Sequence, residues 1–265
     1  MTDNYSYIQD LICKVSPNPP FFASKENYKG GFDRYQCHVI TFLIAGAVVL
    51  PTSLVYGMTF LFLEPKLLCK NEFSGPWYEC DRETACTVPF YQIDYTNEDT
   101  IVNLITKMDI LCSSGYHSLL ASIGAVTLFG FLIGSLVLLP YADYYGRRKM
   151  NIIFLCAMCV SMWLFDMAMS LFSTYWLVCL ACFIGGAVSI PLIGVMICYA
   201  TELSTLEFVP ICTCLSFCAE AFTSILIGLY FQQFKDATIF YLVISVLLTV
   251  FLIVYYMFAR ETPHF

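Results

Sequence analysis

The sequence predicts an all-α integral membrane protein: a bundle of six transmembrane helices with one large polar loop between the first two. Of 265 residues, 59% are hydrophobic and 12% charged, where soluble domains carry about 25% Asp, Glu, Lys and Arg. The mean hydropathy is +0.72. The chain carries 18 Tyr, 23 Phe and 3 Trp, more apolar surface than one globular core absorbs, so lipid is the economical solvent. Intrinsic disorder is excluded by the same composition. A net charge of −7 lacks the basic footprint that neutralising phosphates requires, so no nucleic-acid partner is expected.

A helix crosses the hydrocarbon layer with about 20 mainly apolar residues. Six such runs, bounded by charges, Pro or Gly-Ser-Asn clusters, place spans at 38–62, 117–139, 150–171, 175–200, 208–230 and 238–258. The third and fourth meet at Phe172, Ser173 and Thr174 and are expected to form a tight helical hairpin. Six spans put both termini, an amino-terminal segment 1–37 and a tail 259–265, on one side. That side carries Lys14, Lys25, Lys29, Arg34, Arg147, Arg148, Lys149 and Arg260, against Lys66, Lys70, Arg82, Lys107 and Lys235 opposite. The excess makes it the cytoplasmic side, or the matrix side if the membrane is mitochondrial. Residues 1–30 show no basic segment followed by an apolar run, so the first span is expected to direct insertion.

The outer-side loop 63–116 holds nine acids against four bases and four cysteines, Cys69, Cys80, Cys86 and Cys112. Two disulfides would brace a segment too small for a core of its own, in any of three pairings. Four free thiols or a zinc site is the competing reading, although the wide spacings are not the close pairs zinc prefers. Eight further cysteines, Cys156, Cys159, Cys179, Cys182, Cys198, Cys212, Cys214 and Cys218, lie in apolar runs as packing residues. Cys156-x2-Cys159 and Cys179-x2-Cys182 match a zinc template in spacing alone. On antiparallel helices rising 1.5 Å per residue the pairs sit roughly 10 Å apart in depth, too far to share an ion at ~2.3 Å. No metal or cofactor is expected. No nucleophile–base set appears, and His38, His117 and His264 all fall near span ends, so enzyme activity finds no support.

Between the second and third spans stand Gly134, Pro140, Tyr141, Ala142, Asp143, Tyr144, Tyr145, Gly146, Arg147, Arg148 and Lys149. Asp143 followed by Gly-Arg-Arg-Lys resembles the inter-helix motif of the major facilitator superfamily. Phe32-Asp33-Arg34-Tyr35-Gln36, Pro65, Cys69, Met108-Asp109-Ile110-Leu111-Cys112, Tyr199-Ala200-Thr201-Glu202-Leu203 and Glu261-Thr262-Pro263-His264-Phe265 resemble its organic cation transporter branch, in the branch's order. The resemblance implies the amino-terminal half of that fold, an inverted 3+3 repeat. Such transporters have twelve spans in two halves, with a site between halves that rock against each other. At 265 residues this chain covers only the first half and is expected to lack the second wall of a transport path.

Departures point the same way. The Gly that the family carries four residues before the motif Asp falls at Leu139, and the family's buried Arg falls at Ala181, four residues before Gly185. The Arg usual after Glu202 is missing around Phe208. The cluster Asp143, Gly146, Arg147, Arg148 and Glu202 is expected to lock helix ends together. Inside the spans, Asp166 and Glu220 are the two ionisable residues to explain, because placing an acid there costs at least ~2.5 kcal/mol. They are either counter-ions for an organic cation or a coupled proton, with Trp163, Tyr199 and Tyr230 as candidate cation–π surfaces, or, the reading favoured for a six-span half, acids that are protonated or paired with hydroxyls or with a neighbouring subunit. Gly185, Gly186, Gly194 and Pro191 give the fourth span a small-residue face and a kink suited to close packing. The expected role is a non-transporting accessory or scaffold subunit of a larger membrane complex, such as a respiratory assembly of the mitochondrial inner membrane. The alternative is transport of small organic ions, as a dimer or with a separately encoded second six-helix half. A plasma membrane would suit the family and the outer disulfides equally, so the membrane stays open.

Overall fold

The computed structural model describes residues 44–71, 75–95, 100–108, 110–113, 115–172, 174–202 and 209–259. Residues 32–36, 38–43, Asp109, Leu203, Phe208 and 261–265, which entered the sequence reading, lie outside the described residues. Helix α1 is a π-helical turn Ala45–Val49 continuing into Leu50–Leu61. An outer segment follows, with strands β1 (Leu67–Lys70), β2 (Tyr78–Cys80) and β3 (Phe90–Ile93) and short helices α2 (Arg82–Ala85) and α3 (Leu104–Met108). Helix α4 runs Tyr116–Tyr145 through a π-helical turn at Gly134–Leu138; α5 runs Arg147–Leu171. Helices α6 (Tyr175–Glu202), α7 (Val209–Phe234) and α8 (Ala237–Phe258) complete the order.

Five helices, α4 to α8, are long and apolar enough to cross a membrane, and α1 is a shorter apolar helix over the residues described. The chain is a multi-pass membrane protein by that measure. Three helix ends lie three or more residues beyond the expected spans, one of them the end of α7 at Phe234 rather than 230. Helix α4 continues six residues past 139, because Pro140 falls at the start of the helical turn that follows the π-turn, where its missing N–H costs nothing. Helix α5 begins at Arg147 rather than 150, directly after Gly146.

Helix α6 is the centre. Two thirds of its apolar window is buried (67%), against 22% for α4 and for α7. It packs against α4, α5, α7 and α1, while α8 lies against α5 and α1. On α5 the buried residues Asn151, Phe154, Leu155, Met158, Met162, Phe165 and Asp166 recur every three or four positions, one stripe of a 3.6-residue helix facing α6 and α8. On α6 burial covers most of the circumference, from Val178 and Cys182 through Leu192 to Tyr199, leaving a stripe with Trp176, Leu180 and Ile190 exposed. In lipid, close van der Waals packing rather than water exclusion holds such helices together, and the glycines supply it. A Cβ on Gly130 would sit 2.5 Å from the Phe183 carbonyl oxygen, and one on Gly186 would sit 2.5 Å from that of Thr127. One on Gly134 would overlap the Ala187 carbonyl oxygen. That carbonyl is the one Pro191, four residues on inside α6, has no N–H to satisfy. The Gly134 hydrogen that occupies the Cβ direction points at it, a Cα–H···O contact.

The outer segment is not all helix and loop, as expected, but carries an antiparallel sheet in the order β2-β1-β3. Its register pairs Leu67 with Cys80 and Ile93, and Cys69 with Tyr78 and Tyr91. Leu67 and Cys69 are buried with Ala85, Ile105, Ile110, Leu111 and Tyr116 in a core separate from that of the bundle. Disulfides Cys69–Cys80 and Cys86–Cys112, with Cα–Cα distances of 5.8 and 5.4 Å, close it. This selects one of the three pairings and replaces the free-thiol and zinc alternatives. Asn103 fastens the segment to the bundle. Its amide donates to the carbonyls of Phe60 (3.1 Å) and Leu63 (2.7 Å) at the end of α1, while its Oδ1 accepts the backbone N–H of Ile105 at 3.1 Å. Next to it the Val102 N–H donates to the Lys235 carbonyl at 2.8 Å, tying the segment to the turn between α7 and α8.

Candidate functional site

Gly146 turns the chain between α4 and α5 at φ 97°, ψ 135°, a conformation that L side chains rarely adopt. The turn delivers Arg147 to the first position of α5. Its Nη1 lies 2.7 Å from Glu202 Oε1, at the last position of α6, and its Nη2 lies 3.6 Å from Asp143 Oδ1. A cation at a helix N-terminus and an acid at a helix C-terminus both oppose the helix dipoles, so neither charge is placed to steady its own helix. The pair instead joins the ends of α5 and α6. The side chains of Arg147 and Glu202 are 24% and 16% exposed, that of Asp143 is 78% exposed. The Arg147–Glu202 contact therefore falls between a surface pair, worth 0–1 kcal/mol, and a buried one. A double-mutant cycle of Arg147→Ala and Glu202→Ala is expected to give a coupling of about 1–2 kcal/mol in thermal unfolding. Asp143→Asn should cost under about 0.5 kcal/mol. Arg148 is half-buried beside them.

Leu139, where the family pattern has Gly, turns toward the bundle. Its Cδ1 lies 3.4 Å from the position a Cβ would take on Gly194 of α6. Ala181, where the family has Arg, is buried, and its carbonyl accepts the Ser161 hydroxyl of α5 at 2.7 Å.

The two acids of the spans lie in different places. Asp166, 5% exposed on α5, has Oδ2 against the Ser245 hydroxyl of α8, a hydroxyl also 2.9 Å from the Tyr241 carbonyl. Glu220, half-buried on α7, accepts the Tyr56 hydroxyl of α1 at 3.1 Å. Among the described residues neither acid meets a Lys or Arg. The three candidate rings have separate neighbours. Trp163 Nε1 donates to Thr249 at 3.1 Å; Tyr199 is buried against Tyr255, ring centroids 6.0 Å apart; Tyr230 stacks on Phe234 at 5.1 Å and donates to the Asp236 carbonyl at 3.2 Å. No group of three His, Cys, Asp or Glu among the described residues is placed to hold a metal ion.

A polar seam between α5 and α8 was not foreseen. Antiparallel packing pairs Asn151 with Tyr255 (3.2 Å), Trp163 with Thr249 and Asp166 with Ser245. Ser245 and Thr249 are one turn apart on one face of an otherwise apolar helix, and that spacing was the available signal. Gly130 and Gly134 likewise form a Gly-x3-Gly pair that read only as the head of the turn motif.

Searches against protein-family models and against curated proteins gave no match to this chain. The likeness to major facilitator transporters therefore rests on the motif residues named above.

Proposed function

We propose that the protein is a six-span bundle of the major facilitator type, similar to half of an organic cation transporter, and serves as a non-transporting accessory or scaffold subunit of a larger membrane complex. The observation that carries this reading is the use made of the span acids. Asp166 meets Ser245, and Glu220 meets Tyr56, both inside the bundle. A carboxylate spent on its own bundle is not presented to a passing ion. Ala181, which replaces an Arg of the family pattern, is buried in the bundle, and Leu139, which replaces a Gly, is 36% exposed with its Cδ1 toward Gly194. Helices α4 and α7, each only 22% buried, flank α6 and leave broad apolar faces for lipid or for other subunits.

The test is uptake of tetraethylammonium and choline into vesicles carrying the full chain, compared with Asp166→Asn and Glu220→Gln. The proposal predicts no uptake above empty vesicles. Both variants should fold to within about 1 kcal/mol of the native chain, because an amide oxygen still accepts the Ser245 or Tyr56 hydroxyl. Saturable uptake abolished by Glu220→Gln would overturn the reading and support transport by a self-paired chain.

A further inference from the structure

Asp166 sits where α5 meets α8, 5% exposed, with Oδ2 against the Ser245 hydroxyl. From the hydrogen atoms available there we infer that Asp166 is a proton-binding site, a neutral carboxylic acid whose O–H donates to Ser245, so that the bound proton joins the two helices.

The Ser245 hydroxyl has one hydrogen and faces two oxygens. One is Asp166 Oδ2; the other, at 2.9 Å, is the Tyr241 carbonyl one turn back on α8. A carbonyl only accepts. A carboxylate at Asp166 would also only accept, and a single hydrogen would then be divided between two acceptors. Its Oδ1, buried and without a hydrogen-bond partner among the described residues, would hold its share of the charge bare. A proton on Oδ2 removes the conflict. Asp166 donates to Ser245, Ser245 donates to the Tyr241 carbonyl, and Oδ1 is left as an uncharged oxygen, which a buried site tolerates at far lower cost than a charge.

Among the described residues nothing nearby takes the place of the proton. Lys149, the nearest base on α5, lies roughly 25 Å away at 1.5 Å per residue. Over the described residues α1, α6 and α8 carry no Lys, Arg or His. The titratable groups closest to the site are the Tyr241 phenol of α8 and the Cys182 thiol of α6, both buried and neither a source of positive charge. Helix α3, which packs on the outer end of α5, brings Lys107, but that side chain is exposed and forms no ion pair with Asp166. A metal ion needs several oxygens around one point, whereas the Asp166–Ser245 contact leaves room for a hydrogen between the two groups and no more. The assignment is independent of the scaffold role, since it concerns a bond inside the bundle.

The amide of Asp166→Asn can turn either its oxygen or its N–H2 to Ser245, so the stability of that variant does not report which group donates. The test is infrared difference spectroscopy of the full chain in lipid vesicles at neutral pH, native minus Asp166→Asn; Glu220, the other span acid, is common to both spectra and cancels. The expected result is the loss of one carboxylic-acid C=O band above the amide I region. Ser245→Ala removes the acceptor and leaves the acid, so in a separate difference spectrum the same band should persist and move to higher frequency. Loss of a carboxylate stretch in Asp166→Asn, with the acid region unchanged, would overturn the assignment. An acid band that Ser245→Ala does not move would overturn it equally, because the proton would not then lie on the bond between α5 and α8.

Discussion

Gly134→Ala is expected to destabilise the protein by about 3 kcal/mol in thermal unfolding, the largest loss from a single methyl group among the described glycines that face backbone. The added Cβ lands on the Ala187 carbonyl oxygen, which belongs to the α6 backbone and cannot rotate away. Helices α4 and α6 must part. Overpacking by one methylene in a tight core costs roughly 1–3 kcal/mol. The upper end applies here because Gly130 and Gly186 lie on the same seam and lose their close contacts together. Parting also strands the Ala187 carbonyl, whose helix partner is a proline, in a medium without water. No hydrophobic force then pushes the helices together again, lipid tails being as apolar as leucine. Gly124 and Gly228 provide the internal comparison, since a Cβ on either meets nothing within 4 Å. Gly124→Ala and Gly228→Ala should be neutral or should stabilise by up to ~1 kcal/mol through helix propensity. If all three substitutions behaved alike, the close approach of α4 and α6 would be wrong.

Reduction of the disulfides should release the outer segment while leaving the bundle folded. Cys86–Cys112 closes 26 residues and Cys69–Cys80 closes 11, worth about 3 kcal/mol each in the chain-entropy account. The core they enclose is seven buried residues, too small to hold alone. Cys86→Ser is therefore expected to make β1, β2 and β3 sensitive to protease at concentrations that leave the native segment intact. Helices α5 and α6, with their own core, should keep native protection from hydrogen exchange. Protease resistance unchanged by reductant would show that the sheet and the Asn103 clamp suffice without the bridges.

The helices were legible in the sequence because lipid imposes a length and a composition on every span, and neither depends on which helix packs where. The outer sheet was not. Its strands are three or four residues long, too short for the alternation of inward Leu67 and Cys69 with outward Leu68 and Lys70 to announce them. The even set of cysteines announced bridges but not their partners, which depend on the register that sets Leu67 opposite Cys80. At the turn motif, the resemblance to the major facilitator pattern set Asp143, Arg147 and Glu202 together as an expectation, and the reversal at Gly146 brings Arg147 to Glu202. That Asp166 and Glu220 pair with hydroxyls was within the favoured sequence reading, but which hydroxyls was illegible for a different reason. Each is a hydroxyl on a helix distant in sequence, Ser245 and Tyr56, and hydroxyls leave almost no mark on hydropathy. The helix of α4 runs on past the expected span end at 139 and through Pro140, because a π-turn ahead of the proline leaves no clue in residue type.

A scaffold role depends most directly on what covers the broad faces of α4 and α7 in the native membrane. Extraction in mild detergent, a native gel and mass spectrometry of the particle and its co-purifying chains measure that. A particle of several defined subunits, in which this chain is present once and survives Asp166→Asn and Glu220→Gln unchanged, is the predicted result. A particle containing only this chain, or this chain with one other six-span bundle, would contradict the scaffold role and return both acids to the path of a transported ion.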